Sequence, residues 1–186
     1  MSIILTIICH ASTVPVRDAA FPLDEPLDPQ GRAKASALAT TVRRVDEAWT
    51  SPALRAVETA AALQLNATVD SALRDIDYAA WSGRTLDEVA SDDPAAVASW
   101  MGDSTAAPHG GESITDLLRR MTLWMGTVCE REGRVVAVTH AAIVRAAIIL
   151  ALDAPALSFW RIDVAPLARV KLRGSSGRWT LLSLGE

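Results

Sequence analysis

Two histidines stand in matching contexts. His10 follows an apolar run at residues 3–8 and Cys9, and precedes Ala11; His140 follows an apolar run at residues 135–138 and Thr139, and precedes Ala141-Ala142. Short apolar runs of this kind read as buried strands. In α/β proteins ligands bind at the carboxyl ends of strands, so each histidine sits where chemistry is done. Between them lies Ser51-Pro52-Ala53-Leu54-Arg55. A capping serine followed by proline predicts a helix start, with Arg55 in its first turns. An arginine at a helix N-terminus outlines a phosphate site, because guanidinium, exposed amides and helix dipole all favour an anion. One histidine at a strand end is usually a hydrogen-bonded structural residue. Two of them with a capped arginine point to an anion-binding active site.

The elements that must position these residues fit one globular domain, residues 1–186, half of them hydrophobic. A net charge of −4 argues against a nucleic-acid partner, while leaving room for a local arginine cluster that holds an anion. Cys9 and Cys129 make no disulfide framework, so reduced thiols and a cytoplasmic location are expected. Residues 3–8 are too short and wrongly flanked for a signal peptide. The apolar stretch 141–152 contains Arg145 and is too short to span a bilayer, so no membrane partner is expected. No His/Cys/Asp spacing suggests a metal site, and no cofactor is expected. Asp92-Asp93 reads as a helix cap and His109 as a loop residue.

Along the chain, a long loop over 12–29 contains Pro15, Pro22, Pro26 and Pro29. Asp28-Pro29 then predicts a helix to about Val42. A short strand is expected at 47–50, a helix from Ser51 to about Leu65 and a further short strand at 67–69. Residues 71–110 look like a lid or insertion over one end of the sheet, with helical pieces near 85–90 and 94–101. Gly110-Gly111 precedes an amphipathic helix from about 113 to 130. A strand at 135–138, a helix at 142–152 and a hairpin of strands 167–172 and 179–184 complete the order. The pattern predicts a three-layer α-β-α sandwich with a mainly parallel central sheet. The hairpin edge leaves pairing into a homodimer open.

In order, these residues resemble the histidine phosphatase superfamily, the phosphoglycerate-mutase-like proteins. Its opening Arg-His-Gly is Cys9-His10-Ala11 here. Its Pro-Leu-Thr-x-x-Gly-x-x-Gln-Ala segment corresponds to Pro26 through Ala35, and its Ser-Pro-x-x-Arg-Ala-x-x-Thr-Ala is intact from Ser51 to Ala60. The Leu-x-Glu-x-x-Phe-Gly-x-Trp-x-Gly segment becomes Leu73 through Gly83, with Asp75 in place of the glutamate. Gly110-Gly111-Glu112-Ser113 is intact, and Thr-His-Gly-Gly-x-x-Arg appears as Thr139 to Arg145. The resemblance implies a metal-independent phosphatase acting on a small phosphorylated substrate. His10 would become a phosphohistidine, Arg55 and His140 would hold the phosphoryl oxygens, and Asp75 would protonate the leaving group. The residue types suit the reaction: a neutral imidazole as nucleophile, cations at the equatorial oxygens and a proton donor at the bridging oxygen.

Several positions depart from the family. Cys9 replaces an arginine that contacts the phosphoryl group. A charge-assisted hydrogen bond is worth roughly 1.5–3 kcal/mol, so its loss weakens activity or leaves a non-catalytic relative that binds a phosphorylated ligand or a protein partner. Ala11 replaces a glycine. Where the family often has asparagine stands Val16, followed by Arg17, which is the best candidate for a substitute phosphate-binding cation. Asp75 is one methylene shorter than glutamate, leaving Asp77 and Glu112 as alternative proton donors. Arg145 is expected on another helix face, paired with a carboxylate. A cysteine-dependent phosphatase would need an arginine six positions after Cys9, and Pro15 and Arg17 do not supply that loop; Cys9 reads as a small buried strand-end residue.

Overall fold

The computed structural model describes residues 2–42 and 44–185. Its centre is a six-stranded sheet in the order β3-β2-β4-β1-β5-β6. Strand β1 is Ile3–Cys9, β2 Glu47–Thr50, β3 Thr68–Val69, β4 Gly133–Thr139, β5 Arg169–Ser175 and β6 Arg178–Gly185. The first four are parallel to one another, whereas β5 pairs antiparallel with β1, and β6 antiparallel with β5. The mainly parallel sandwich expected from the pattern is the observed one.

The sheet separates two apolar layers. Ile3, Leu5, Ile7 and Cys9 face a core built with helices α6 (Ile114–Cys129) and α7 (Ala141–Leu152). Ile8, Val136 and Val138 face a smaller cluster with Ala56, Ala60 and Leu63, on and just after helix α3 (Leu54–Ala62). That layer also holds α2 (Pro29–Leu38), which begins where Asp28 accepts the Gly31 amide at 2.6 Å. Glycine is required at position 31, since a Cβ there would overlap the backbone oxygen of Ser12. The close approach ties the loop after His10 to α2.

Two loops cover the carboxyl ends of the parallel strands. The 12–29 segment is not pure loop: it contains a four-residue helix α1 (Val14–Arg17) capped by Thr13, and Ala20 forms a bridge with Thr85. The second cover, 71–110, contains α4 (Leu86–Asp92) and α5 (Pro94–Gly102). Asp93 caps α5 as expected, through Ala96 N–H. Phe21 joins the two covers by packing with Trp81, Trp100 and Val89. Among the described residues no helix is long and apolar enough to cross a membrane.

Candidate active site

The backbone brings the two histidines together. Strands β1 and β4 pair in parallel with Cys9 opposite Thr139, and the His10 amide donates to the Thr139 carbonyl at 2.7 Å. The imidazoles consequently lie edge to face with ring centroids 5.2 Å apart. Both are buried.

His10 is held in one tautomer. Its Nδ1 lies 2.8 Å from the carbonyl oxygen of Ala11, an acceptor only, so Nδ1 carries the proton. Nε2 is then a lone pair, and it accepts from Arg55 Nε at 3.2 Å. The Ala11 backbone that makes this contact is fixed in turn by its N–H, which donates to Thr59 Oγ1 at 3.0 Å. Ala11 is not in the left-handed region, so the family's glycine is not required here for its φ. Burial, reinforced by the His140 and Arg55 charges, pushes the His10 imidazole down to about 3. It stays neutral, with Nε2 available, at ordinary pH.

His140 is oriented differently. Its Nε2 lies 2.7 Å from Ser51 Oγ, which also accepts from Ala53 N–H at 3.3 Å. An Asp75 carboxylate oxygen 3.4 Å from Nδ1 favours the ring proton on that nitrogen, which leaves the serine hydroxyl to donate to Nε2. That Nδ1 is buried without a hydrogen-bond partner, with Asp75 Oδ2 at 3.4 Å. Buried N–H groups are rarely left unmatched, and an oxygen arriving beside His10 would match this one. Burial, then the charges of Arg55 and Arg120, hold this imidazole well below its usual range.

The Ser51-Pro52 pattern predicts that Ser51 caps α3. Instead the helix starts at Leu54, and Ser51 serves His140, because the chain runs extended through Ala53. Asp24 takes over the capping role, accepting the Leu54 amide at 2.7 Å. Arg55 is the second helical residue and is 3% exposed. Its guanidinium donates to the Leu23 carbonyl at 2.8 Å and to Asp75 Oδ2 at 3.0 Å, and lies 3.7 Å from Glu25. Asp75 thus touches both Arg55 and His140.

The alternative proton donors are otherwise engaged. Glu112 is gripped by Arg120 at 2.8 and 2.6 Å and approached by Arg74 at 3.5 Å. Asp77 is exposed and caps the turn at Ala79. Arg17 is not joined to the histidines: its Nε lies 3.7 Å from Asp28, and its side chain is half exposed. Arg145 differs from expectation. It donates to the Ile162 carbonyl at 2.8 Å and lies over the Phe159 ring, because the chain after α7 brings a backbone acceptor and an aromatic face to it rather than a carboxylate. Cys9 is buried in the core, and burial pushes its thiol up to about 12, so it supplies no thiolate. His109 is a loop residue, but a buried and pinned one, accepting the Gly111 amide at 3.0 Å.

A cavity of about 340 Å³ is lined by Leu23, Asp24, Ser51, Arg55, Asp75 and Tyr78 among others, and so reaches Arg55, Ser51 and Asp75; the two histidines lie buried behind that lining. Glu25 and the Leu23 carbonyl carried no sequence signal, because only the folded 12–29 segment brings them to Arg55.

The profile of the histidine phosphatase superfamily (branch 1) matches residues 5–186. A bifunctional protein of Mycobacterium tuberculosis is 36% identical over 126 residues, 63% of this chain and 35% of that protein. Glucosyl-3-phosphoglycerate phosphatase of the same organism is 36% identical over 104 residues, 53% of this chain and 47% of that one. The matched region thus spans about a third to a half of these curated relatives. Among solved structures, mycobacterial glucosyl-3-phosphoglycerate phosphatase superposes with a TM-score of 0.85 at 27% identity over 97% of each chain. A structure described as mycobacterial hydrolase 1 gives 0.88 at 27% identity, covering 100% of this chain and 99% of its own.

Proposed function

We propose that this chain, which belongs to the histidine phosphatase superfamily, hydrolyses a small phosphomonoester through a phosphohistidine at His10. The observation that carries the proposal is the 2.8 Å contact of His10 Nδ1 with the Ala11 carbonyl. It fixes the proton on Nδ1 and leaves Nε2 as a nucleophile facing Arg55. The phosphatases among its relatives and structural neighbours support the same reading.

In the proposed reaction, the phosphoryl group displaces the Arg55 Nε contact from His10. Arg55 and the unmatched His140 Nδ1–H then hold its equatorial oxygens. As Nε2 forms the P–N bond, the P–O bond to the leaving group breaks, and the acid form of Asp75 gives its proton to the departing oxygen. Water then attacks the phosphohistidine: the new P–O bond forms as the P–N bond breaks, the electron pair returns to His10 Nε2, the water's proton goes to the Asp75 carboxylate, and inorganic phosphate leaves. The account rests on one buried arginine, with Arg17 as the proposed substitute for the family's second cation.

Cys9 motivates one other reading: a protein that binds a phosphorylated ligand without turning it over. Assay of a generic aryl phosphate from acid to neutral pH separates the two. Turnover lost in both His10→Ala and His140→Ala supports hydrolysis. Absent turnover, with inorganic phosphate binding that depends on Arg55, supports the binding protein instead.

A further inference from the structure

The sheet face on the α2–α3 side is only partly covered by helices. Toward the start of β1, beyond the reach of α3, it opens into a cavity of about 480 Å³. Ile4 and Thr6 contribute to its floor, and Arg44, Arg134, Arg169 and Lys171 to its walls; none of its lining residues is an aspartate or glutamate. Thr6 lies four residues before His10, about 13 Å along the strand at the usual rise. The cavity shares no lining residue with the one over Arg55.

The sequence of β5 explains the charge. Val170 and Leu172 point into the core, and Arg169, Lys171 and Arg173 alternate with them on the other face. Register places Lys171 beside Thr6 and Arg134 beside Ile4. In a chain with more acidic than basic residues, many arginines pair with carboxylates: Arg17, Arg32, Arg55, Arg74, Arg84, Arg119, Arg120 and Arg131 all do. Among the described residues no ion pair is found for Arg44, Arg134, Arg169 or Lys171.

Arg169 is the informative member. Its Nε and Nη2 are buried and have no hydrogen-bond partner among the described residues, and burial lowers the guanidinium's pKa. A guanidinium has only donors to offer. Withdrawing it from water without an acceptor is costly, and native proteins seldom leave such groups unmatched. Three neighbouring unpaired cations deepen the positive potential instead of relieving it.

From this juxtaposition we infer a second anion site, in which Arg169 at the base and Lys171, Arg134 and Arg44 at the rim bind a small, multiply charged phosphate or polycarboxylate compound. The occupant is small because the site is a bounded cavity with a partly buried cation, not a long stripe of the kind that follows a nucleic-acid backbone. Planar guanidinium donors suit phosphate and carboxylate oxygens. The site does not depend on the hydrolytic reading of His10.

The test is calorimetric titration of the full chain with tripolyphosphate at low salt. Arg55→Gln removes the anion contact of the other cavity and should leave this binding unchanged within about twofold. Arg169→Gln combined with Lys171→Gln should weaken it at least tenfold, as for loss of one charged hydrogen bond. Arg134→Gln with Arg44→Gln, at exposed positions, should weaken it several-fold without touching the fold, which keeps the result readable if the first pair is unstable. Four outcomes overturn the inference: no binding to the parent protein; binding lost in Arg55→Gln; binding indifferent to both basic pairs; or a single-stranded oligonucleotide binding tighter than tripolyphosphate through the same residues.

Discussion

Strands β1 and β4 are neighbours that are followed alike, each by a histidine and then an alanine, and the two histidines differ in what holds the ring. Beyond Cys9 the chain enters a loop, and the carbonyl of the very next residue takes the His10 Nδ1 proton. Beyond Thr139 it enters α7, where His140 is the residue preceding the helix, its carbonyl is committed to Val144 N–H, and the ring turns to Ser51 on the neighbouring element. One histidine is left with a lone pair on Nε2, which accepts from Arg55, and the other with a buried Nδ1 that has no hydrogen-bond partner among the described residues. The same local sequence thus offers a ring lone pair or a ring N–H, according to which nitrogen its surroundings occupy, and the proposed roles of nucleophile and oxygen-holding donor follow that difference.

Removing each histidine should break the comparison unequally. His10→Ala should abolish turnover of an aryl phosphate, by on the order of 10³-fold or more, since the nucleophile itself is gone. His140→Ala should cost about 10²–10³-fold, the usual effect of losing one donor to a developing oxyanion, while a slow phosphoenzyme still forms. Steady-state rates and phosphoenzyme trapping in the two variants check both statements.

Cys9→Arg sharpens the account from the other side. Restoring a guanidinium beside the phosphoryl site should raise kcat/KM about ten- to a hundredfold, the worth of one charged hydrogen bond. Because Cys9 is 3% exposed, the added bulk and charge should also lower the melting temperature. A loss of activity with an intact fold would mean that the pocket has closed around the cysteine.

Acid should separate the histidines from the rest of the molecule. Both have pKa values depressed by burial. In the unfolded chain they bind protons near pH 6.5, and in the folded chain His10 does so only near 3. Between these values the unfolded state holds more protons, so stability is complete above about pH 6.5 and falls as pH drops, by up to about 1.4 kcal/mol per pH unit for each histidine. Denaturant melts across this window should show a shallower slope in His10→Asn. The smallest effect is expected at Arg17, whose half-exposed pairing with Asp28 places it at the level of surface ion pairs: Arg17→Ala should raise KM about two- to fivefold with kcat little changed.

Much of the fold was legible because buried parallel strands read as continuous apolar runs, and Asp28-Pro29 and Asp93-Pro94 are strong helix starts. The sequence predicts a strand at 167–172, earlier than β5 begins, because Leu167 extends the apolar pattern. In the structure Leu167 takes a left-handed turn (φ 67°) and the strand begins at Arg169. Helix α1 was missed because four residues containing a proline carry no periodicity. At the site, both histidines and Arg55 were legible from spacing. The partners were not: Ser51 looks like a cap until the turn of the chain aims it at His140, and Glu25 reaches Arg55 only through the packed 12–29 segment. Local sequence places the groups that the structure brings together and the Ala11 carbonyl beside His10, while Ser51, Glu25 and the Leu23 carbonyl reach their partners through tertiary contacts.

Rapid acid-free quenching of the enzyme with an aryl phosphate, followed by mass spectrometry of its peptides, locates the phosphoryl group of the intermediate. A single acid-labile phosphoryl group should be found on His10, formed and lost at rates that match turnover and absent in His10→Ala. A phosphoryl group on Cys9 or His140, or turnover with no phosphoenzyme at all, would contradict a phosphohistidine at His10.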